Sequence, residues 1–220
     1  MSEHRLDFDR RRRLGMVEAV WGEHKSVEQL IAIAQQFEAA AELLLVTRIS
    51  APKADAVRAK LPELVYHPLA RCLSLGMPPA ADLGQAGGAA AVALLTAGSS
   101  DSPVAAEAAL ALQCHGIGHQ LISDVGVAGL HRLLAVLPQL EPARVLIVCA
   151  GMEGSLATVL AGLVPQPVIA VPVSVGYGVS AGGRAALEGM LASCAPGLTV
   201  VNIDNGYGAA MAALRILRGA

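Results

Sequence analysis

Four short segments carry most of the residues that could do chemistry. Thr96-Ala-Gly98-Ser99-Ser100-Asp101-Ser102-Pro103 puts glycine and hydroxyls just before a predicted helix, where free N–H groups and the helix dipole favour a phosphate. An ordinary turn capped by Asp101 or Ser102 fits the same residues. It is neither a GxGxxG fingerprint nor a P-loop. Cys149-Ala-Gly151-Met152-Glu153-Gly154-Ser155 places a carboxylate where charge is scarce. Burial there would suit Glu153 to general acid or base work, although a first-turn glutamate meeting the helix dipole is the commoner case. Two further segments, Ser174-Val-Gly176-Tyr177-Gly178 and Asn202-Ile-Asp204-Asn205-Gly206-Tyr-Gly208, are glycine-rich as backbone approaching a ligand must be.

Other reactive side chains read as structural. Cys72, Cys114 and Cys149 are expected to be small buried hydrophobes, and Cys194, in Ser193-Cys-Ala-Pro-Gly197, takes the same default. Cys114, His115 and His119 could suggest a metal, but Gly116 and Gly118 break any helix that would align them. His131 reads as a packed histidine.

These segments need elements to hold them. Strands are predicted at Ala89–Leu95, His119–Ile122, Val145–Cys149, Val168–Val173 and Leu198–Ile203, and helices at Pro103–Cys114, Ala128–Leu137, Ser155–Leu163, Gly183–Ser193 and Gly208–Leu217. Five βα units in succession call for an α/β fold with a doubly wound parallel sheet, three-layer and flavodoxin-like or Rossmann-like. Ligands of such sheets bind beyond the carboxyl ends of the strands, where all four segments fall. Upstream, Ser26-Val-Glu-Gln29 has capping-box spacing and opens a helix to about Ala40. Leu43–Val46 reads as a strand, and Ser50-Ala-Pro52 starts another helix.

Charge marks the boundary between the two parts. Residues 1–88 hold 11 Lys/Arg and 11 Asp/Glu, whereas the longer stretch 89–220 holds 5 and 7. A linker is placed near Pro78–Gly88, giving a small α/β domain over 1–85 and a larger domain over 86–220. With 54% hydrophobic residues the 220-residue chain is too apolar to be disordered, and with 3% aromatics its core must be built from small aliphatics. No apolar run is long enough to span a membrane, no signal core follows the charged start, and the four cysteines form no Cys-x-x-Cys pair. The expected setting is cytoplasmic. The Arg10–Arg13 run is balanced by nearby acids, so no nucleic-acid partner is expected.

Across nearly its whole length the sequence resembles the LarB family. The likeness rests on Asp9-Arg10 through Gly15-x-x-Glu18, Lys25, Thr47-Arg48, Tyr66-His-Pro-Leu-Ala-Arg71, Thr96–Ala108, Asp124–Leu134, Ala150–Leu156, Ser174–Gly178, Ser193–Gly197 and Val201–Ala210. It implies carboxylation and hydrolysis of nicotinic acid adenine dinucleotide, giving pyridinium-3,5-biscarboxylic acid mononucleotide and AMP for a nickel-pincer nucleotide cofactor of lactate racemase. It also implies CO2 or bicarbonate as co-substrate, Mg2+ with unknown ligands, and a C-terminal domain similar to aminoimidazole ribonucleotide carboxylase. Cys194 would be the nucleophile and Glu153 the base. Gly98, Ser99, Ser100, Asp101, Arg48, Asp124, Gly126, Gly151, Met152, Gly176, Tyr177, Gly178 and Asn205 would bind substrate. His24 and Val173 depart from the family pattern, where Gly and Thr are common. Cys194 follows its helix and should lie at the amino edge of its sheet, so the expected active site is shared between subunits of a homo-oligomer, an octamer by analogy. The alternatives are an aminoimidazole ribonucleotide carboxylase or mutase, whose catalytic loop histidine is missing after Ser123, and a non-catalytic nucleotide-binding module.

Overall fold

The protein is described by a computed structural model covering residues 6–76 and 90–219. It divides into two compact units, residues 1–79 and 80–220. The predicted linker Pro78–Gly88, the 85/86 boundary and the predicted strand start at Ala89 lie outside the described residues.

The first unit runs α1 (Arg10–Leu14), β1 (Ala19–Trp21), α2 (Val27–Ala39), β2 (Leu44–Thr47), α3 (Ala51–Arg58), β3 (Val65–His67) and β4 (Cys72–Leu75). Its mixed sheet has the order β1-β2-β4-β3, with β1 parallel to β2 and the other pairs antiparallel. The capping box forms as read: Gln29 N–H donates to Ser26 Oγ at 3.2 Å, and Ser26 N–H to Gln29 Oε1 at 3.0 Å. Helix α2 turns Leu30, Ile33, Ala34 and Phe37 onto Val20, Leu44, Val46 and Leu73 of the sheet. Strands β1, β3 and β4 are new relative to the sequence reading, since runs of three or four residues are too short to establish a period-two pattern.

The second unit is the expected doubly wound fold. It runs β5 (Val92–Thr96), α4 (Ser102–Cys114), β6 (His119–Ile122), α5 (Leu130–Leu140), β7 (Val145–Ala150), α6 (Ser155–Ala161), β8 (Val168–Pro172), α7 (Arg184–Leu191), β9 (Thr199–Val200) and α8 (Gly206–Gly219). All five strands are parallel, in the order β6-β5-β7-β8-β9. Strands β5, β7 and β8 are buried throughout, as continuous aliphatic runs under helices on both faces must be. Strand β9 is shorter than the predicted Leu198–Ile203. Beyond Val200 the chain still follows β8, with Val201 N–H on Ala170 C=O at 3.0 Å and Asp204 N–H on Pro172 C=O at 2.8 Å, but without a regular ladder. His131 is exposed rather than packed, because α5 begins at Leu130 after a separate turn over Val127–Gly129 and turns Leu133 and Leu140, not His131, to the core.

Small residues let the layers close. Ala105, Ala108 and Ala111 of α4 and Ala209, Ala210 and Ala213 of α8 are fully buried. A Cβ on Gly206 would sit 2.3 Å from the Val104 carbonyl oxygen, so α8 can start here only as glycine.

The strand order reverses between β5 and β7, which opens the crevice where ligands of such sheets bind. Asp101 spans it. Its Oδ2 accepts the Gly98 N–H at 2.8 Å and its Oδ1 the Gly151 N–H at 3.0 Å, tying the loop after β5 to the loop after β7. Burial pushes the Asp101 carboxyl above the usual carboxylate range although these N–H bonds oppose it.

Two measurements test this frame. Gly206→Ala should destabilise the protein by about 2 kcal/mol or more, because the clash is with backbone. Gly162→Ala, whose nearest neighbour lies at 3.5 Å, should leave urea unfolding unchanged. With its folded pKa raised, Asp101 binds more protons folded than unfolded, so its contribution falls as pH rises from about 4, the unfolded carboxylate value. The stability gap between wild type and Asp101→Asn should therefore narrow with rising pH, and a widening gap would mean that the N–H bonds outweigh burial.

Candidate active site

A cavity of about 310 Å3 occupies the reversal point. Its walls come from Ala97–Asp101 after β5, Gly126–Ala128 and Arg132 after β6, Ala150–Leu156 after β7, and Val175 after β8. Every wall therefore descends from a strand's carboxyl end.

Backbone contacts fix these loops to one another. Gly126 N–H donates to Ala97 C=O at 2.9 Å, and Met152 N–H to Val175 C=O at 2.9 Å. A Cβ on Gly151 would sit 2.4 Å from the Val175 carbonyl oxygen, so this wall demands glycine. Three non-glycine residues take left-handed backbone just past the strands: Asp124 (φ 60°), Met152 (φ 53°) and Asp204 (φ 54°). Such strain persists only where surrounding bonds enforce it. Here the Asp124 N–H is held by Thr96 Oγ1 at 3.1 Å, and Asp204 Oδ1 holds the Ser174 N–H at 2.8 Å.

Three charged side chains line the cavity. Asp101 faces it from beneath, committed to its two N–H donors. Glu153 is exposed, with Ser155 Oγ donating to its Oε1. Arg132 is paired through Nη1 with Asp124 Oδ2 at 2.6 Å. That pair holds one edge of the guanidinium fork and leaves its planar face and remaining donors on the wall. The arrangement offers one cation for an anionic ligand and one accessible carboxylate for moving a proton.

The predicted residues divide into those the cavity gathers and those it does not. Gly98, Ser100, Asp101, Gly126, Gly151, Met152 and Glu153 line it, and Asp124 acts behind it through Arg132. Ser99 is exposed in the turn after β5 and does not line it. Gly176, Tyr177 and Gly178 follow Val175 away from the wall, and Tyr177 is 79% exposed. Asn205 is not among the lining residues, and its Oδ1 accepts the Gly208 N–H at 2.8 Å and so caps α8. Arg48 belongs to the first unit. Cys194 is exposed beyond the end of α7, outside the cavity lining, on a segment held by Thr158 Oγ1 donating to Ser193 Oγ at 2.8 Å and by Ala195 N–H on the same oxygen at 3.1 Å.

The other cysteines are buried as read, and burial pushes the Cys114 thiol up to about 12 and Cys149 further, so neither supplies a thiolate. Among the described residues no three His, Cys, Asp or Glu side chains gather to hold a metal, and no helix is long and apolar enough to cross a membrane. Arg132 and Ser155 are the polar lining residues that the sequence reading missed. The available signal was scarcity, since Arg132 is one of five basic residues after position 88.

Comparison with known proteins accounts for both units. Residues 1–77 match the family described as LarB/PurE-like N-terminal domain, and residues 91–220 match AIR carboxylase. An uncharacterised protein of Methanocaldococcus jannaschii is 36% identical over 214 residues, covering 93% of this chain and 80% of that protein. With the parallel sheet, its cavity and both family matches in agreement, the chain belongs to the LarB-like proteins of the AIR carboxylase family, in which a LarB/PurE-like N-terminal domain precedes the carboxylase domain.

Proposed function

We propose that the protein carboxylates C5 of the pyridinium ring of nicotinic acid adenine dinucleotide and hydrolyses its phosphoanhydride, releasing pyridinium-3,5-biscarboxylic acid mononucleotide and AMP. The observation that carries this reading over a purine-type carboxylase is the loop after β6. There Ser123 runs into Asp124, Val125 and Gly126, and no histidine is among the residues lining the cavity. A carboxylate, Glu153, is the accessible base instead.

A cationic pyridinium cannot attack CO2. If the Cys194 thiolate adds to the ring carbon beside C5, the ring becomes a neutral dihydropyridine whose C5 is nucleophilic. C5 then bonds to the carbon of CO2. Glu153 takes the C5 proton, the C–S bond breaks, the thiolate leaves and aromaticity returns. No electrons are lost or gained overall, and water then splits the phosphoanhydride. Arg132 supplies counter-charge to the substrate's anionic groups beside the N–H groups of the Gly98 loop. Mg2+ does not find a protein cage among the described residues, since Asp101 is spent on backbone and Glu153 is bonded by Ser155, so no step is derived through it.

Cys194 and Glu153 do not meet in one cavity of one chain, so the site is proposed to form between copies, one giving Cys194 and its neighbour the Glu153 cavity. The 79% exposed Tyr177 and the 94% exposed Val179, on the loop that follows Val175, suit such an interface.

Mass spectrometry of products from nicotinic acid adenine dinucleotide, bicarbonate and Mg2+ tests the reaction directly. Cys194→Ala and Glu153→Gln should each lose at least about 100-fold in carboxylation with unchanged circular dichroism, and near wild-type turnover in either would remove that residue from the mechanism. Co-refolding the two variants in equal amounts should restore about a quarter of wild-type activity if each site draws on two copies. A site within one chain restores none.

A further inference from the structure

We infer that Arg132 is the specificity residue of the cavity: it binds the 3-carboxylate of the pyridinium ring and so selects the acid dinucleotide over its carboxamide counterpart. The inference rests on the reaction proposed above and names the group that reads its substrate.

Helix stability does not account for this arginine. It stands in the first turn of α5, at the positive pole of the helix dipole, where a cation is disfavoured. It is nevertheless fixed there from two sides. Asp124 Oδ2 accepts from its Nη1 at 2.6 Å, and Asp124 is itself held by its N–H on Thr96 Oγ1 at 3.1 Å. On the other side the guanidinium lies against Gly129. A Cβ on that residue would be 2.6 Å from Nε, 3.0 Å from Nη2 and 3.1 Å from Cζ. The backbone at Gly129 does not itself demand glycine, since its φ is −121°. The missing side chain makes room for Arg132. A cation placed before any ligand arrives gives up little side-chain entropy on binding.

Charge across the cavity favours the ring over the phosphates as the group bound here. The lining holds one guanidinium against two carboxylates, Asp101 and Glu153, and that guanidinium is already paired with a third, Asp124. A pyrophosphate would bring further negative charge into these surroundings. A nicotinate ring brings a cation and a carboxylate together, with no net charge. Its flat apolar body suits walls that include Val127, Met152, Leu156 and Val175. The strand order adds an orientation. Strands β6 and β7 flank β5, so the segments that follow them, carrying Arg132 and Glu153, rise on opposite sides of the cavity from origins two strand spacings, about 10 Å, apart. The carboxylate on C3 and the hydrogen on C5 leave the ring on opposite flanks. With the carboxylate on Arg132, C5 is turned toward Glu153. A carboxamide loses the charge and sets its own N–H donors against those of the guanidinium.

Nicotinic acid adenine dinucleotide and nicotinamide adenine dinucleotide differ only in the group on C3, so titrating both isolates this contact. By isothermal titration, the full-length Cys194→Ala protein, which forms no adduct, should bind the acid at least about tenfold more tightly than the amide. Adding Arg132→Gln should bring that ratio to about one by weakening the acid alone. Adding Gly129→Ala, which displaces the guanidinium and changes no charge, should lower the ratio with an unchanged melting temperature. A parent protein that binds both ligands equally or neither, a ratio that survives either substitution, or equal weakening of both ligands by Arg132→Gln would overturn the inference. Product analysis judges the reaction separately: discrimination through Arg132 without formation of the biscarboxylate keeps this inference and removes the proposed carboxylation.

Discussion

The reversal of strand order between β5 and β7 leaves two loops that ladder bonds alone cannot keep in register, and the Asp101 carboxylate closes that gap. Its two oxygens take N–H groups from Gly98, three residues before it, and Gly151, fifty residues after it. Acceptors for both donors are obligatory in so buried a place, since an orphaned backbone N–H costs about as much as the clamp itself provides. The cavity floor follows from this: Ala97 and Gly98 on one side, Ala150 and Gly151 on the other, with a carboxylate between. An anion entering here meets N–H dipoles already partly satisfied, which makes Arg132 the decisive positive charge on the wall.

Small side chains are the second condition. Loops that must hold both a ligand and each other leave no room for Cβ atoms at Gly151, Gly126 or Gly206. The same economy shows in the Ala-rich contact of α4 with α8. Tight backbone packing also enforces the left-handed Asp124 and Met152. Asp124 turns its carboxylate onto Arg132, so strain in one loop is converted into the position of a cation in the cavity.

Most of the carboxylase unit was legible because long, buried parallel strands read as unbroken aliphatic runs, and β6 falls on its predicted bounds. The first unit was less so: β1, β3 and β4 are three or four residues each and owe their existence to pairing rather than pattern. At the site, glycine and carboxylate positions next to strand ends were found because topology alone puts them at the crevice. At Asn205 the sequence alone does not separate two readings, because a residue that caps a helix and one that binds a ligand are the same type at the same offset. Arg132 escaped because it lies eight residues past its partner Asp124, across a turn that sequence spacing does not describe.

The placement of Cys194 sharpens what an α/β sheet can and cannot do alone. Residues that follow a strand converge on the carboxyl edge, whereas residues that follow a helix are carried back toward the amino edge, where Thr158 Oγ1 and the Ala195 N–H both donate to Ser193 Oγ. A chemistry that needs both a thiolate from such a segment and a carboxylate from the crevice must therefore import one of them. Symmetric association is the economical way, because one interface repeated around an assembly completes every site at once. Under the proposed mechanism the exposed thiol, the accessible Glu153 and the exposed loop at Tyr177 and Val179 would be three parts of one requirement.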